Sequence, residues 1–159
     1  MKILKHAEDL KLTGRVELIA THKTTGEQII IRTENLRVTV GKTWLLNFLV
    51  NKSDYANGFT YCALGNDNTA VAVGQTTLVA EQKRKPITSR VPITSGVEIT
   101  LSTFFTAAES TFYIKEGAIF GHDASATANS GIMWSRFLIT FDNSGGTYDV
   151  TINYILTVN

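Results

Sequence analysis

Met133-Trp134-Ser135-Arg136-Phe137-Leu138-Ile139-Thr140-Phe141, a turn-prone stretch at residues 142–146, and then Val150-Thr151-Ile152-Asn153-Tyr154-Ile155-Leu156-Thr157-Val158 decide the fold class of this chain. Apolar residues recur at every second position in both runs, which is the period of a β-strand whose successive side chains point to opposite faces. In the first run Met133, Ser135, Phe137, Ile139 and Phe141 share one face, with Trp134, Arg136, Leu138 and Thr140 on the other. In the second, Val150, Ile152, Tyr154, Leu156 and Val158 share a face. Two long strands joined by a short turn predict an antiparallel hairpin.

The same period runs through the rest of the chain. Residues 13–22 alternate Val16, Leu18 and Ala20 with polar neighbours, with Ile19 as an interruption. A Lys-Thr-Thr-Gly turn leads to residues 28–33, whose three isoleucines suit a pleated surface, so a first hairpin is expected. Leu36, Val38 and Val40 extend the alternation into a third strand. Further strands are expected at residues 59–64 and 97–105, and at 111–120 as two short strands or one kinked at Gly117. Pro86 and Pro92 place the segment around them on a sheet edge or between sheets, because proline supplies no ladder donor.

One segment departs from this rhythm. Trp44, Leu45, Phe48 and Leu49 fall on one side of a helix, expected near residues 42–51, and so short a helix must lay its stripe on a sheet or a neighbouring subunit. Eight to ten strands with one helix predict a single all-β domain over residues 1–159, an antiparallel β-sandwich, jelly-roll-like or a flattened barrel.

Composition narrows the function. The chain has 159 residues, 43% apolar and 18% charged, with 15 basic and 14 acidic side chains and a formal charge of +1. So balanced a surface recruits neither nucleic acid nor an anionic membrane, and its low charge density suits a protein partly covered by partners. The lone Cys62 rules out an intrachain disulfide and fits a reducing cytoplasm. Residues 1–12 lack the apolar core of a secretory signal, and no run is long enough for a transmembrane helix.

Reactive motifs were sought in turn. Gly41-Lys42-Thr43 resembles the end of a phosphate-binding loop, but Leu36 stands where the required glycine would be. His6, His22 and His122 are scattered, and Asn66-Asp67-Asn68 reads as turn chemistry rather than a calcium loop. Cys62 reads as a small buried hydrophobe, and a sequon at Asn51-Lys52-Ser53 carries no weight without a secretory route. Lys83, Arg84, Lys85 and Arg90 form the one basic concentration, able to meet phosphate or an acidic neighbour and read first as a solvated edge that discourages aggregation. Residues 123–131 have the composition of a flexible outward loop. No cofactor, metal or catalytic set is expected, and the chain reads as a non-enzyme.

The order of features then becomes recognisable. An apolar strand enters an Ala63-Leu64-Gly65 turn, a loop follows, and Leu78, Glu81 and Arg84 are spaced as Leu-x-x-Glu-x-x-Arg. Later comes Lys115-Glu116-Gly117-Ala118-Ile119-Phe120. This arrangement resembles a β-rich module of tailed-bacteriophage virion proteins, found in the amino-terminal regions of tail fibre proteins. Lys115 stands where that module carries Arg, and Gly65-Asn66-Asp67 replaces a glycine-repeated turn. The resemblance implies a virion structural protein made in the host bacterial cytoplasm, an adaptor in the tail, baseplate or fibre-attachment region. It also implies a homo-oligomer, a trimer first and a hexamer second, docked on other virion proteins. A capsid decoration protein is the alternative, and a carbohydrate-binding adhesion module touching host glycans is the third reading, with Trp134, Tyr55 and Tyr148 as its aromatic candidates. The expected assembly residues are Trp44, Leu45, Phe48, Leu49, Glu81, Arg84, Lys85, Glu116, Gly117 and Phe120. Glu81 or Glu116 is expected to face Arg84 or Lys85 and hold adjacent strands in register.

Overall fold

A computed structural model describes residues 11–52, 55, 57–92 and 97–159. The signal-free reading of the amino terminus and Ser53 of the sequon fall largely outside them. Ten strands occupy Leu12–His22 (β1), Gln28–Glu34 (β2), Leu36–Arg37 (β3), Phe59–Gly65 (β4), Glu81–Pro86 (β5), Ser89–Pro92 (β6), Glu98–Phe105 (β7), Tyr113–Gly121 (β8), Ile132–Asp142 (β9) and Tyr148–Val158 (β10). Among the described residues one α-helix, α1, spans Thr39–Leu49, and a 3-10 turn spans Ala107–Ser110. The strands form two five-stranded antiparallel sheets: a front sheet in the order β2-β1-β10-β7-β6 and a back sheet in the order β3-β9-β8-β4-β5. The all-β sandwich read from the sequence is therefore the fold. Each sheet ends in two edge strands, so the architecture is an open sandwich rather than a closed barrel.

The main core lies between the sheets. Val16, Leu18 and Ala20 of β1, Leu101 and Phe105 of β7, and Val150, Ile152 and Tyr154 of β10 meet Cys62, Leu64, Ile114, Ile119, Phe137, Ile139 and Phe141 from the back sheet. Both prolines sit on edge strands, Pro86 on β5 and Pro92 on β6, where no neighbouring strand needs the missing donor. The first hairpin forms as expected, β1 against β2.

The closing hairpin does not form. β9 belongs to the back sheet and β10 to the front sheet, where β10 lies between β1 and β7. The turn between them is an arch across the sandwich, held by a buried Asn143. Its side chain donates to Ser110 Oγ at 3.0 Å and to the Tyr148 carbonyl at 2.8 Å, and accepts from the Tyr148 N–H at 3.1 Å. Alternation specifies that a strand has one core face, but it does not specify which strand lies beside it.

The assignment of faces along β9 is also corrected at one end. Register shifts between Ile119 and Phe120 on β8, so that Ile119 pairs with Ser135 and Phe120 with Met133, leaving Trp134 in a bulge. The extra residue exchanges the faces beyond it. Trp134 turns into the main core, whereas Met133 joins a second cluster with Val38, Ala63, Leu78, Ala118 and Phe120. On β8, a single strand, the kink falls around Lys115 rather than at Gly117.

The bulge also explains why the third strand stops after two residues. The Val38 N–H donates to the bulged Trp134 carbonyl at 3.1 Å, and the Thr39 N–H to Val73 O at 2.8 Å. From there the chain coils into α1, three residues before the boundary expected from the sequence, taking Val40 out of the strand. Gly41 permits this close approach, since a Cβ there would lie 2.5 Å from Trp134 O. The helix ends on Asn51 at φ 53°, with Asn51 N–H to Phe48 O and Lys52 N–H to Asn47 O, the paired bonds of a Schellman cap.

Candidate assembly surfaces

The second cluster shows that the back sheet is covered on both faces, and the polar groups beneath that cover form two clamps. In the first, Glu116 of β8 and Arg136 of β9 are completely buried and joined at 2.8 Å, Arg136 Nε donating to Glu116 Oε2. Glu116 also accepts from the Val79 N–H at 3.2 Å and the Ala80 N–H at 2.7 Å. Arg136 Nη1 reaches Thr69 O at 2.8 Å and Gln75 Oε1 at 3.2 Å. One ion pair thus ties the loop over residues 66–80 to the centre of the sheet. Gly65 passes so close that a Cβ would lie 2.5 Å from Glu116 Oε1, and a Cβ on Gly117 would lie 2.3 Å from the Phe137 ring.

In the second clamp Arg84 and Glu81, both on β5, form a bidentate pair at 2.6 and 2.8 Å. Arg84 Nη1 donates to Ser130 O at 2.9 Å, Ser130 Oγ at 3.0 Å and Ser125 O at 3.2 Å. Glu81 accepts from the Asn129 N–H at 3.1 Å, and the guanidinium lies 4.4 Å from the Phe120 ring centroid. The loop at residues 123–131 is therefore pinned from beneath, against the flexibility that its composition suggests.

These contacts revise the basic edge. Arg84 is buried rather than solvated. Lys85 Nζ lies 2.6 Å from Glu109 Oε2, with Lys83 at 3.8 Å from the same carboxylate. The hydrogen bond from Lys85, aided by the Thr106 N–H, holds the Glu109 carboxyl down at about 2. Glu81 faces Arg84 as expected, but within one strand. Glu116 is the glutamate that joins adjacent strands, and its partner is Arg136 rather than Arg84 or Lys85. Sequence reasoning placed Arg136 on the face opposite Phe137 and missed this pair. The available signal was that Trp134, Phe137 and Leu138 surround it, a strand apolar on both faces, which marks a strand covered on both sides.

The α1 residues divide. Trp44 is buried, with its ring 5.2 Å from Phe59 and 5.9 Å from Phe48 by centroid. Leu45 is half-buried against the main core. The stripe stops there: Leu46, Phe48, Leu49 and Val50 are 66%, 41%, 68% and 74% exposed, forming an apolar ridge at the end of the helix. The sandwich does not cover the expected Phe48 and Leu49.

The outer face of the front sheet is partly exposed, with Ile155 buried on it. It carries Arg32–Glu17 at 2.7 Å, Arg15–Glu98 at 3.0 Å and Ser102–Asn153 at 2.7 Å, with Ile30 and Phe104 exposed among them. Aromatic platforms for a sugar fare differently from the expectation. Trp134 is buried, its Nε1 donating to Tyr154 OH at 2.7 Å, and Tyr148 packs edge-on against Phe141. Burial pushes the Tyr154 hydroxyl up to about 12, and Asn35 Nδ2 donates to it at 2.6 Å.

Clefts open on the surface of the described residues. One of about 300 Å³ is lined by Lys11, Thr13, Gly14, Glu34, Asn35 and Arg37, and an apolar one of about 260 Å³ by Pro92, Val97, Glu98, Ile99, Leu156 and Val158. Among the described residues no three of His, Cys, Asp and Glu gather as a metal would require. Cys62 is fully buried, and desolvation raises its thiol to about 12, so it stays protonated and packs as an apolar group. Asp67 Oδ1 accepts the Thr69 N–H at 2.6 Å, a local turn contact. No described helix is long and apolar enough to cross a membrane. No family model matches the chain, and neither a curated protein nor a solved structure matches it.

Proposed function

We propose that this chain is a structural protein of a tailed-phage virion, an adaptor in the tail, baseplate or fibre-attachment region that acts by assembling with copies of itself and other virion proteins. The observation that carries the reading is the convergence of the two motif elements. Leu78, Glu81 and Arg84 from one, and Glu116 and Phe120 from the other, are distant in sequence yet lie together at the outer face of the back sheet, while Gly117 between them faces Phe137 on the core side. There they fasten two long loops to the sandwich, so the residues that carry the resemblance act as one structural unit. The ridge of Leu46, Phe48, Leu49 and Val50 supplies an apolar contact of the kind that homo-oligomers bury, and a homotrimer built through it is the assembly proposed.

The test is location on a particle. Antibody raised against the purified protein and applied to phage from a producing lysate is expected to decorate the tail or its attachment region in electron micrographs. Decoration spread over the head would replace this reading with a capsid decoration protein, and absence from purified particles would refute a virion role. A Leu46→Lys/Leu49→Lys variant is expected to lose the trimer while keeping its fold by circular dichroism.

A further inference from the structure

Among the described residues four strand edges border the two sheets, and three of them are blunted. β3 has two residues, β6 has four and ends in Pro92, and β5 carries Lys83, Lys85 and Pro86. β2 differs. It runs seven residues, Gln28-Ile29-Ile30-Ile31-Arg32-Thr33-Glu34, with no proline, lysine or glycine, and pairs with β1 without a register break. The free side of β2 can be read from the hairpin itself. His22 N–H donates to Glu27 O, so the pair His22 and Glu27 is a bonded one, and bonded pairs recur at every second residue. Ile29, Ile31 and Thr33 therefore direct their N–H and C=O groups to β1, while those of Gln28, Ile30, Arg32 and Glu34 face the open edge.

The side chains are left unfinished as well. Ile29 and Ile31 share the core-facing side with their β1 partners Ala20 and Leu18, which are fully buried, yet Ile29 is 37% exposed and Ile31 only half-buried. The cause is β3, whose two residues end the back sheet before it can cover β2. We infer that the occupant of this edge is β2 of a second copy, paired antiparallel about a two-fold axis through Ile31, so that the two front sheets become one continuous ten-stranded sheet.

The strand is complementary to itself in that register. Gln28 meets the partner's Glu34, amide against carboxylate, and Ile30 meets the stem of the partner's Arg32. On the core side Ile31 meets its own copy and Ile29 meets the partner's Thr33, which covers both exposed isoleucines. All four outward-facing residues of each strand enter bonded pairs, giving roughly eight main-chain hydrogen bonds. A pairing shifted by two residues leaves Glu34 beside Gly26 in the turn and uses fewer. This two-fold contact lies apart from the α1 ridge, and together with a trimer through the ridge it would make a hexamer of two trimers.

Sedimentation of the wild-type chain and of Ile30→Pro tests it, because the Ile30 N–H points away from β1 and its loss costs no bond inside the fold. The expected result is an even-numbered oligomer whose mass halves in Ile30→Pro with unchanged circular dichroism. Amide exchange at Arg32 is expected to be roughly tenfold or more slower in wild type than in the variant. Arg32→Pro removes the next outward donor and is read in the same way should Ile30→Pro not fold. Equal masses for wild type and variant overturn the inference, as does slow exchange at Ile30 and Arg32 in a monomer, which would mean that the chain covers its own edge. A trimer indifferent to Ile30→Pro overturns the β2 contact and leaves the ridge intact; a trimer lost only in Leu46→Lys/Leu49→Lys locates the assembly at the ridge alone and does the same.

Discussion

Replacing Glu116 by leucine removes the carboxylate bonded to Arg136 and the acceptor of two loop amides in one step. Both charged groups of the pair are fully buried, so solvent cannot take over the contact. Truncating one member of a buried ion pair costs about 3–5 kcal/mol, chiefly through the charge left unpaired. Unfolding entropy near the midpoint is about 2.1 cal/mol/K per residue, or roughly 0.33 kcal/mol/K for a chain of 159 residues. The midpoint should then fall by about 9–15 °C, read by calorimetry or by circular dichroism during heating. Arg136→Met should be destabilising for the complementary reason. The double variant leaves no unpaired charge and should cost about 1–3 kcal/mol less than the two single costs combined. Amide exchange at Val79 and Ala80 should accelerate in Glu116→Leu, because those N–H groups bond its carboxylate. Single variants that each lose under about 1 kcal/mol, or costs that simply add, would refute the assignment of this pair as the tie between loop and sheet.

Three further outcomes follow from the same geometry. Tyr154→Phe strips the acceptor shared by Trp134 Nε1 and Asn35 Nδ2 and should lower unfolding free energy by about 1–3 kcal/mol in urea titrations. Gly117→Ala drives a methyl into the Phe137 ring, 2.3 Å away, and should cost about 1–3 kcal/mol or more, partly relieved by adding Phe137→Leu. Glu109 is depressed in the folded state from 4.5 to about 2, so its contribution is present above pH 4.5 and is lost as pH falls from there toward 2. Stability of the wild type should decline more steeply across that window than that of Lys85→Met, measured by denaturant midpoints at successive pH values.

How far the sequence could be read depended on the range of the interaction. β1, β7, β9 and β10 were legible because each keeps a two-residue period long enough to define a face, β2 and β4 because short apolar runs are bounded by turn residues, and α1 because Trp44, Leu45 and Phe48 break that period. The neighbour of each strand was not legible. Nothing in residues 142–146 distinguishes a hairpin turn from the arch that Asn143 closes onto Ser110, since the deciding partner lies 33 residues away. The Trp134 bulge was hidden for a related reason, as large apolar residues sit at both parities there and either face assignment fits the pattern. Of the candidate residues, Glu81 and Arg84 do meet, but within one strand rather than across two, Glu116 was singled out without its partner, and Phe48 and Leu49 were assigned to a stripe that the sandwich leaves uncovered.

The place of β10 bears on how the molecule is made. It is the last strand in chain order but the middle one of the front sheet, the shared neighbour of β1 and β7. During synthesis the β1–β2 and β6–β7 hairpins emerge early with no common partner, and their apolar sides wait for residues near Val158 to leave the ribosome. Closure of the front sheet is thus a late, non-local event, slower than hairpin formation and exposed to association with other nascent chains in the interval.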